Sequence, residues 1–186
     1  MMRILNKTPI GSGRRLRLAV SFLLLGAAMQ VGAASLTVGD KAPNFEVTTL
    51  AGETFKLSDY KGKKPVYLKF WATWCSYCKV EMPHLQSIYN KYGDDVEVLA
   101  VNVGINDSVA NIQQFFNRGG FNLPTVIDRQ GDLTSRYGIV GTPHHVLIDK
   151  EGEIAYRTFL ATDTLDEMVE EWAEEKQILN RRPWKR

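Results

Sequence analysis

Cysteine is almost missing from this chain: Cys75 and Cys78 are the only two in 186 residues. That count excludes a framework of several disulfides and a four-cysteine zinc site. Histidine is nearly as scarce, with only His84, His144 and His145. No uninterrupted apolar run reaches the ~20 residues that a membrane-spanning helix needs. Repeats, low-complexity tracts and interdomain linkers are also absent, which leaves a single domain.

The first 34 residues contain no acidic side chain. Arg3, Lys7, Arg14, Arg15 and Arg17 precede an apolar stretch from Leu18 to Met29, followed by the small residues of "QVGAAS". This is the layout of an export signal, with cleavage expected after Ala33 or Ala34; an uncleaved N-terminal anchor is the alternative. The expected organisation is therefore a signal over 1–34, a domain over 35–180 and a basic tail over 181–186. Without the signal, 18 basic residues face 21 acidic ones, a formal charge of −3. So mildly acidic a surface lacks the positive field that nucleic-acid binding requires. About 150 residues can bury a core without disulfide staples. Export would place the two cysteines where a disulfide can persist.

Along the domain, "GDKAPNFEVTTLAGETFKLSDYKGKK" alternates and turns at Ala51-Gly52, predicting a β-hairpin. "PVYLKFWA" reads as a buried strand that ends at the cysteines. Helical spacing follows from Ser76 to Tyr92, with Cys78, Met82, Leu85, Tyr89 and Tyr92 on one stripe, Pro83 within it and Gly93 closing it. Next come a strand in "DVEVLAVNVG", a helix over Ser108 to Phe116, a strand in "LPTVID" and a short helix in "GDLTSRYGI". Two strands joined at Glu151-Gly152 and an amphipathic helix complete the chain. That last helix turns Leu165, Met168, Val169 and Trp172 inward, and Thr164 with Glu167 is expected to form its capping box. The order predicts a three-layer α/β fold.

Three readings compete for the cysteine pair. A zinc site would need more ligands, drawn from His84, His144 or His145. A static disulfide across two residues closes so short a loop that it adds little stability. A redox couple has a mechanism: Cys75 falls where a strand feeds a helix N-terminus, whose free N–H groups and dipole stabilise thiolate over thiol. Cys78, one turn on and facing inward, would resolve a mixed disulfide. The redox reading wins.

"FWATWCSYC" after a strand, with "GTPHHVLID" further on, resembles the thioredoxin superfamily. "KAPNFEVTTLAGETFKLSDYKGKKPVYLKFWATWC", "CKVEMP" and "VLAVNVG" are similar to its exported TlpA/ResA/CcmG-like members. The resemblance implies a thioredoxin-like fold: a central mixed sheet flanked by helices, with an added N-terminal β-hairpin and a central αβ insertion. It also implies that Pro143 is a cis-proline lying against the disulfide. Thr142 would offer backbone pairing to an extended substrate, and Trp74 an apolar contact. Glu81 would be a part-buried carboxyl with a raised pKa, exchanging a proton with Cys78.

Two residues depart from that pattern. Lys69 stands where cytoplasmic thioredoxins carry a buried aspartate; it either snorkels to solvent, the favoured expectation, or pairs with Glu81. His144 could stabilise a thiolate when protonated, and strand alternation predicts that one of His144 and His145 faces inward and the other outward.

The function expected is exported thiol–disulfide exchange, in the direction of reducing protein disulfides, with cytochrome c maturation as one use. No small-molecule cofactor or metal is implied, because the couple is made of side chains. The resemblance further implies a membrane thiol carrier of the DsbD or CcdA kind as electron source, and the protein is expected to be a monomer. The rivals are a thiol oxidase, a copper-handling chaperone using the cysteines and a histidine, and a peroxidase. The last is disfavoured because Ala72 stands where peroxiredoxins carry threonine or serine.

Overall fold

The computed structural model describes residues 36–181. The expected export signal lies outside them, as does the basic tail apart from Arg181.

Alternation in "EVTTLAGETFK" produces the hairpin β1 (Glu46–Thr48) and β2 (Thr54–Lys56), antiparallel with Val47 opposite Phe55. Gly52 supplies the positive φ of its turn. The main sheet contains β3 (Val66–Trp71), β4 (Glu97–Asn102), β5 (Thr125–Ile127), β6 (His144–Ile148) and β7 (Ile154–Thr158). Its order is β5-β4-β3-β6-β7, with β3, β4 and β5 parallel and β6 antiparallel to both of its neighbours, β3 and β7. The helices are α1 (Ser76–Tyr92), α2 (Val109–Gly119), α3 (Asp132–Arg136) and α4 (Asp163–Arg181). The α2–β5 unit is the expected central insertion.

β3 is buried at every residue, which is why it reads as an apolar run rather than an alternation. Its two faces meet different layers. Lys69 and Trp71 face the layer of α1, α2 and α4: Lys69 meets Glu81, Trp71 packs on Phe115 and Phe116, and His84 on α1 bonds Asp166 on α4. Phe70 faces the other way, against Tyr137, which in turn packs edge-on to Phe45 beside the hairpin. The segment before the hairpin also covers the β7 edge, through Gly39 N–H to Ile154 O and Ile154 N–H to Asp40 O. Leu50 N–H reaches Thr125 O on β5, so both edges of the sheet are met by the N-terminal segment.

Two local expectations are corrected. The α4 cap is Thr162, whose Oγ1 accepts from Leu165 N–H, and not Thr164, which already lies inside the first turn. Thr162 is placed three residues before the first inward-facing residue, so its hydroxyl reaches the free N–H there. On α1 the buried stripe holds Cys78, Met82, Leu85, Gln86 and Ile88, while Tyr89 and Tyr92 are only half-buried. Gln86 is kept inside by bonds to Asn90 and Asn122.

Candidate active site

Cys75 is the N-cap of α1, and its Sγ accepts a 3.1 Å hydrogen bond from Cys78 N–H. The two cysteines form a disulfide with Cα atoms 5.2 Å apart. Cys75 is 7% exposed, whereas Cys78 is 0% exposed, so both are buried and only the first residue keeps any contact with solvent. A thiolate at Cys75 would inherit the bond from Cys78 N–H together with the positive end of the helix dipole.

The loop carrying "ATWC" is tied to the β4–α2 connection. Asp107 accepts from Thr73 N–H at 2.8 Å, Thr73 Oγ1 at 2.9 Å and Asn102 Nδ2 at 2.7 Å. Burial pushes this carboxyl up, but those donors and Ser108 N–H outweigh it and hold it below its ordinary value. Trp74 Nε1 donates to Ile105 O at 2.7 Å, fixing the exposed indole beside Cys75. The sequence reading missed Asp107 because nothing local distinguishes a loop aspartate that reaches across to another loop. Trp71 is wholly buried and its role is packing.

The Thr142–Pro143 peptide bond is cis, as the resemblance implied. Thr142 Oγ1 is buried without a partner among the described residues. Exposed apolar side chains neighbour Cys75 and Pro143 along the chain: Trp74 and Tyr77 flank Cys75, Val140 precedes the Gly-Thr-Pro turn, and Phe159 packs edge-on against His144.

Lys69 and Glu81 overturn two expectations together. Lys69 does not snorkel: its side chain is 0% exposed, and its Nζ lies 2.5 Å from Glu81 Oε2. Lys69 is enclosed between β6, where it lies opposite His145, and α1, which brings Glu81 to its ammonium. Glu81 therefore does not have a raised pKa. Burial pushes it up, but donors from His145, Lys69 and Ala161 N–H, with the lysine charge, pull it down to about 2. The same burial lowers Lys69, against the opposing pull of the carboxylate.

The expectation for the two histidines is also corrected, since both are buried. They do point to opposite faces, but both faces are covered. His145 meets Glu81 and Tyr67, while His144 meets Arg157 and Phe159. Burial, Arg157 and His145 push His144 down to about 4, so it is neutral near pH 7 and is no cationic partner for a thiolate. An NMR titration of the His144 ring should give a midpoint near 4; one near the ordinary 6.5 would restore the cationic role. His84 is half-exposed and paired with Asp166 at 2.8 Å.

Dithiol–disulfide exchange is the chemistry that this arrangement can run, and the class it defines is the thioredoxin-like thiol–disulfide oxidoreductase. More narrowly, the chain belongs to the AhpC/TSA family, whose model matches residues 38–157. It is 43% identical over 121 residues to the thiol-disulfide oxidoreductase ResA of Geobacillus kaustophilus, covering 64% of this chain and 68% of that one. Among solved structures it is similar to the thioredoxin domain of a thiol-disulfide oxidoreductase from Bacteroides vulgatus. That match has TM-score 0.65 and 30% identity, and covers 75% of this chain and 99% of that one. It is also similar to the exposed lipoprotein thioredoxin of Streptococcus pneumoniae, with TM-score 0.59, 36% identity and coverage of 69% and 99%.

Proposed function

We propose that this protein is an exported reductase of protein disulfides. The observation that carries the reading is the asymmetry of the pair: Cys75, at the helix N-terminus, keeps slight exposure, while Cys78 has none. The Cys75 thiolate attacks one sulfur of a partner disulfide; a mixed disulfide forms and the partner's other sulfur leaves as a thiolate. Cys78 then gives up its proton and attacks the Cys75 sulfur. The Cys75–Cys78 disulfide closes and the second partner sulfur is released. Two electrons pass to the partner; one of its two protons is the one Cys78 releases and the other comes from water.

Trp74, Thr142 and Pro143 form the substrate contact: the exposed indole offers apolar area, and the backbone before the cis-proline pairs with an extended segment. The apolar rim of Tyr77, Val140 and Phe159 suits a protein partner rather than a small polar disulfide. In this reading no cofactor is used. Electrons return through a membrane thiol carrier of the DsbD or CcdA kind, and cytochrome c maturation is one use. The "exposed" and "lipoprotein" in the name of the pneumococcal relative support export, as does the N-terminal layout.

Direction is tested by equilibrating the couple against glutathione or dithiothreitol. A reductase should settle around −250 mV or below, and a value around −120 mV would reverse the assignment to a disulfide donor.

A further inference from the structure

Tyr67, Lys69 and His145 are three polar side chains that disulfide exchange does not itself require, yet all converge beside Glu81. Lys69 is opposite His145 in the β3–β6 register, and both side chains point at α1. Glu81 Oε2 receives Lys69 Nζ at 2.5 Å and His145 Nε2 at 3.1 Å, while Oε1 receives Ala161 N–H at 2.9 Å. Tyr67 OH lies 2.6 Å from His145 Nδ1. Burial above all, with the Glu81 and Asp166 charges, holds Tyr67 far above its ordinary value, so it stays a donor. The Glu81 carboxylate can only accept, so the ring proton sits on Nε2 facing it, and Nδ1 of the neutral ring accepts from the Tyr67 hydroxyl.

Stability alone does not account for this group, since a buried ion pair is often no better than apolar packing of the same volume. Its position is informative: Glu81 is one helical turn beyond Cys78, on the same face of α1. A carboxylate has about four acceptor sites, and three are taken here, leaving about one free on Oε1.

We propose that Lys69 and His145 are positioning residues for the dithiol chemistry: they clamp the Glu81 carboxylate one turn beyond Cys78, with Tyr67 fixing the histidine tautomer. The clamped charge disfavours a second thiolate, so Cys78 stays a thiol while Cys75 carries the negative charge. The pair then enters each cycle with its roles already divided. This rests on the exchange mechanism proposed above.

The groups facing Glu81 are Tyr67 and Lys69 from β3, His145 from β6 and Ala161 N–H after β7. His84 on α1 acts on His145, and Asp166 on α4 acts on Tyr67 and pairs with His84. None of these depends on His144, which lies on the opposite face.

The test follows the reduced protein by residue-resolved alkylation across pH, and the Glu81 carboxyl by carbon NMR. In the wild type, alkylation should follow one ionisation at Cys75, and Glu81 should not titrate between about pH 4 and pH 9. In Lys69→Met the Glu81 midpoint should move up by about 2 pH units, and this carboxyl ionisation should enter the Cys75 alkylation profile as a second inflection. That second inflection should vanish in Lys69→Met combined with Glu81→Gln. His145→Leu should act in the same direction, and Tyr67→Phe, which removes only a hydroxyl, serves if the lysine variant does not fold. Profiles that superpose on the wild type would overturn the clamp, as would a change that persists in the Glu81→Gln background. Wild-type alkylation at Cys78 instead of Cys75 would defeat the exchange mechanism while leaving the carboxyl titration as the test of the clamp.

Discussion

Cys78→Ser, reduced and mixed with a disulfide substrate, should accumulate a mixed disulfide through Cys75 rather than turn over. The first attack needs only the Cys75 thiolate, which keeps its helix N-terminus and the slight exposure that Cys78 lacks. The second attack needs a sulfur one turn further on, and serine cannot supply it. Cys75→Ser should instead lose exchange altogether, by roughly 10³-fold or more, because the nucleophile itself is gone. Mass spectrometry of the trapped species assigns the linkage. Trapping through Cys78 would reverse the roles, and would require a 0% exposed residue to meet a partner without the slightly exposed one taking part.

Lys69→Met should destabilise the folded protein by about 3 kcal/mol, because it strands a buried carboxylate that keeps only two of its three donors. For a domain of this size that corresponds to a fall in Tm of roughly 6–12 °C. Denaturant titration with the m-value held constant gives the same quantity. The acid limb supplies a second check on the same pair. Glu81 folded titrates at about 2, below its ordinary 4.5. As pH falls past 4.5 the unfolded chain takes up this proton first, so the stabilisation present at neutral pH is lost progressively down to about pH 2. The variant should lack that component, its folded carboxyl no longer being held down. A loss of under about 0.5 kcal/mol would place the ion pair among those that contribute nothing measurable.

Much of the site was legible before any coordinate. The strand, the two cysteines and the helix over Ser76–Tyr92 lie consecutively, so their geometry is local, and "GTPHH" marked the cis-proline segment. The errors share one cause. Snorkelling by Lys69, a raised pKa at Glu81 and an outward-facing histidine were all judgements about which surfaces are covered, and coverage is not a local property. The α4 cap failed on a smaller scale: of two threonines in "TDT", only packing against the core chose the earlier one as the end of the helix.

The sequence by itself determined the redox couple, the order of elements and the fold class, because these follow from neighbouring residues and from hydrophobic period. Tertiary structure alone decided what surrounds the couple. The β3–β6 register sets Lys69 opposite His145, and the layer of α1 and α4 shuts both away from water. Once solvent is excluded, a lysine, a glutamate and a histidine must satisfy one another, and their charges are fixed by that enclosure.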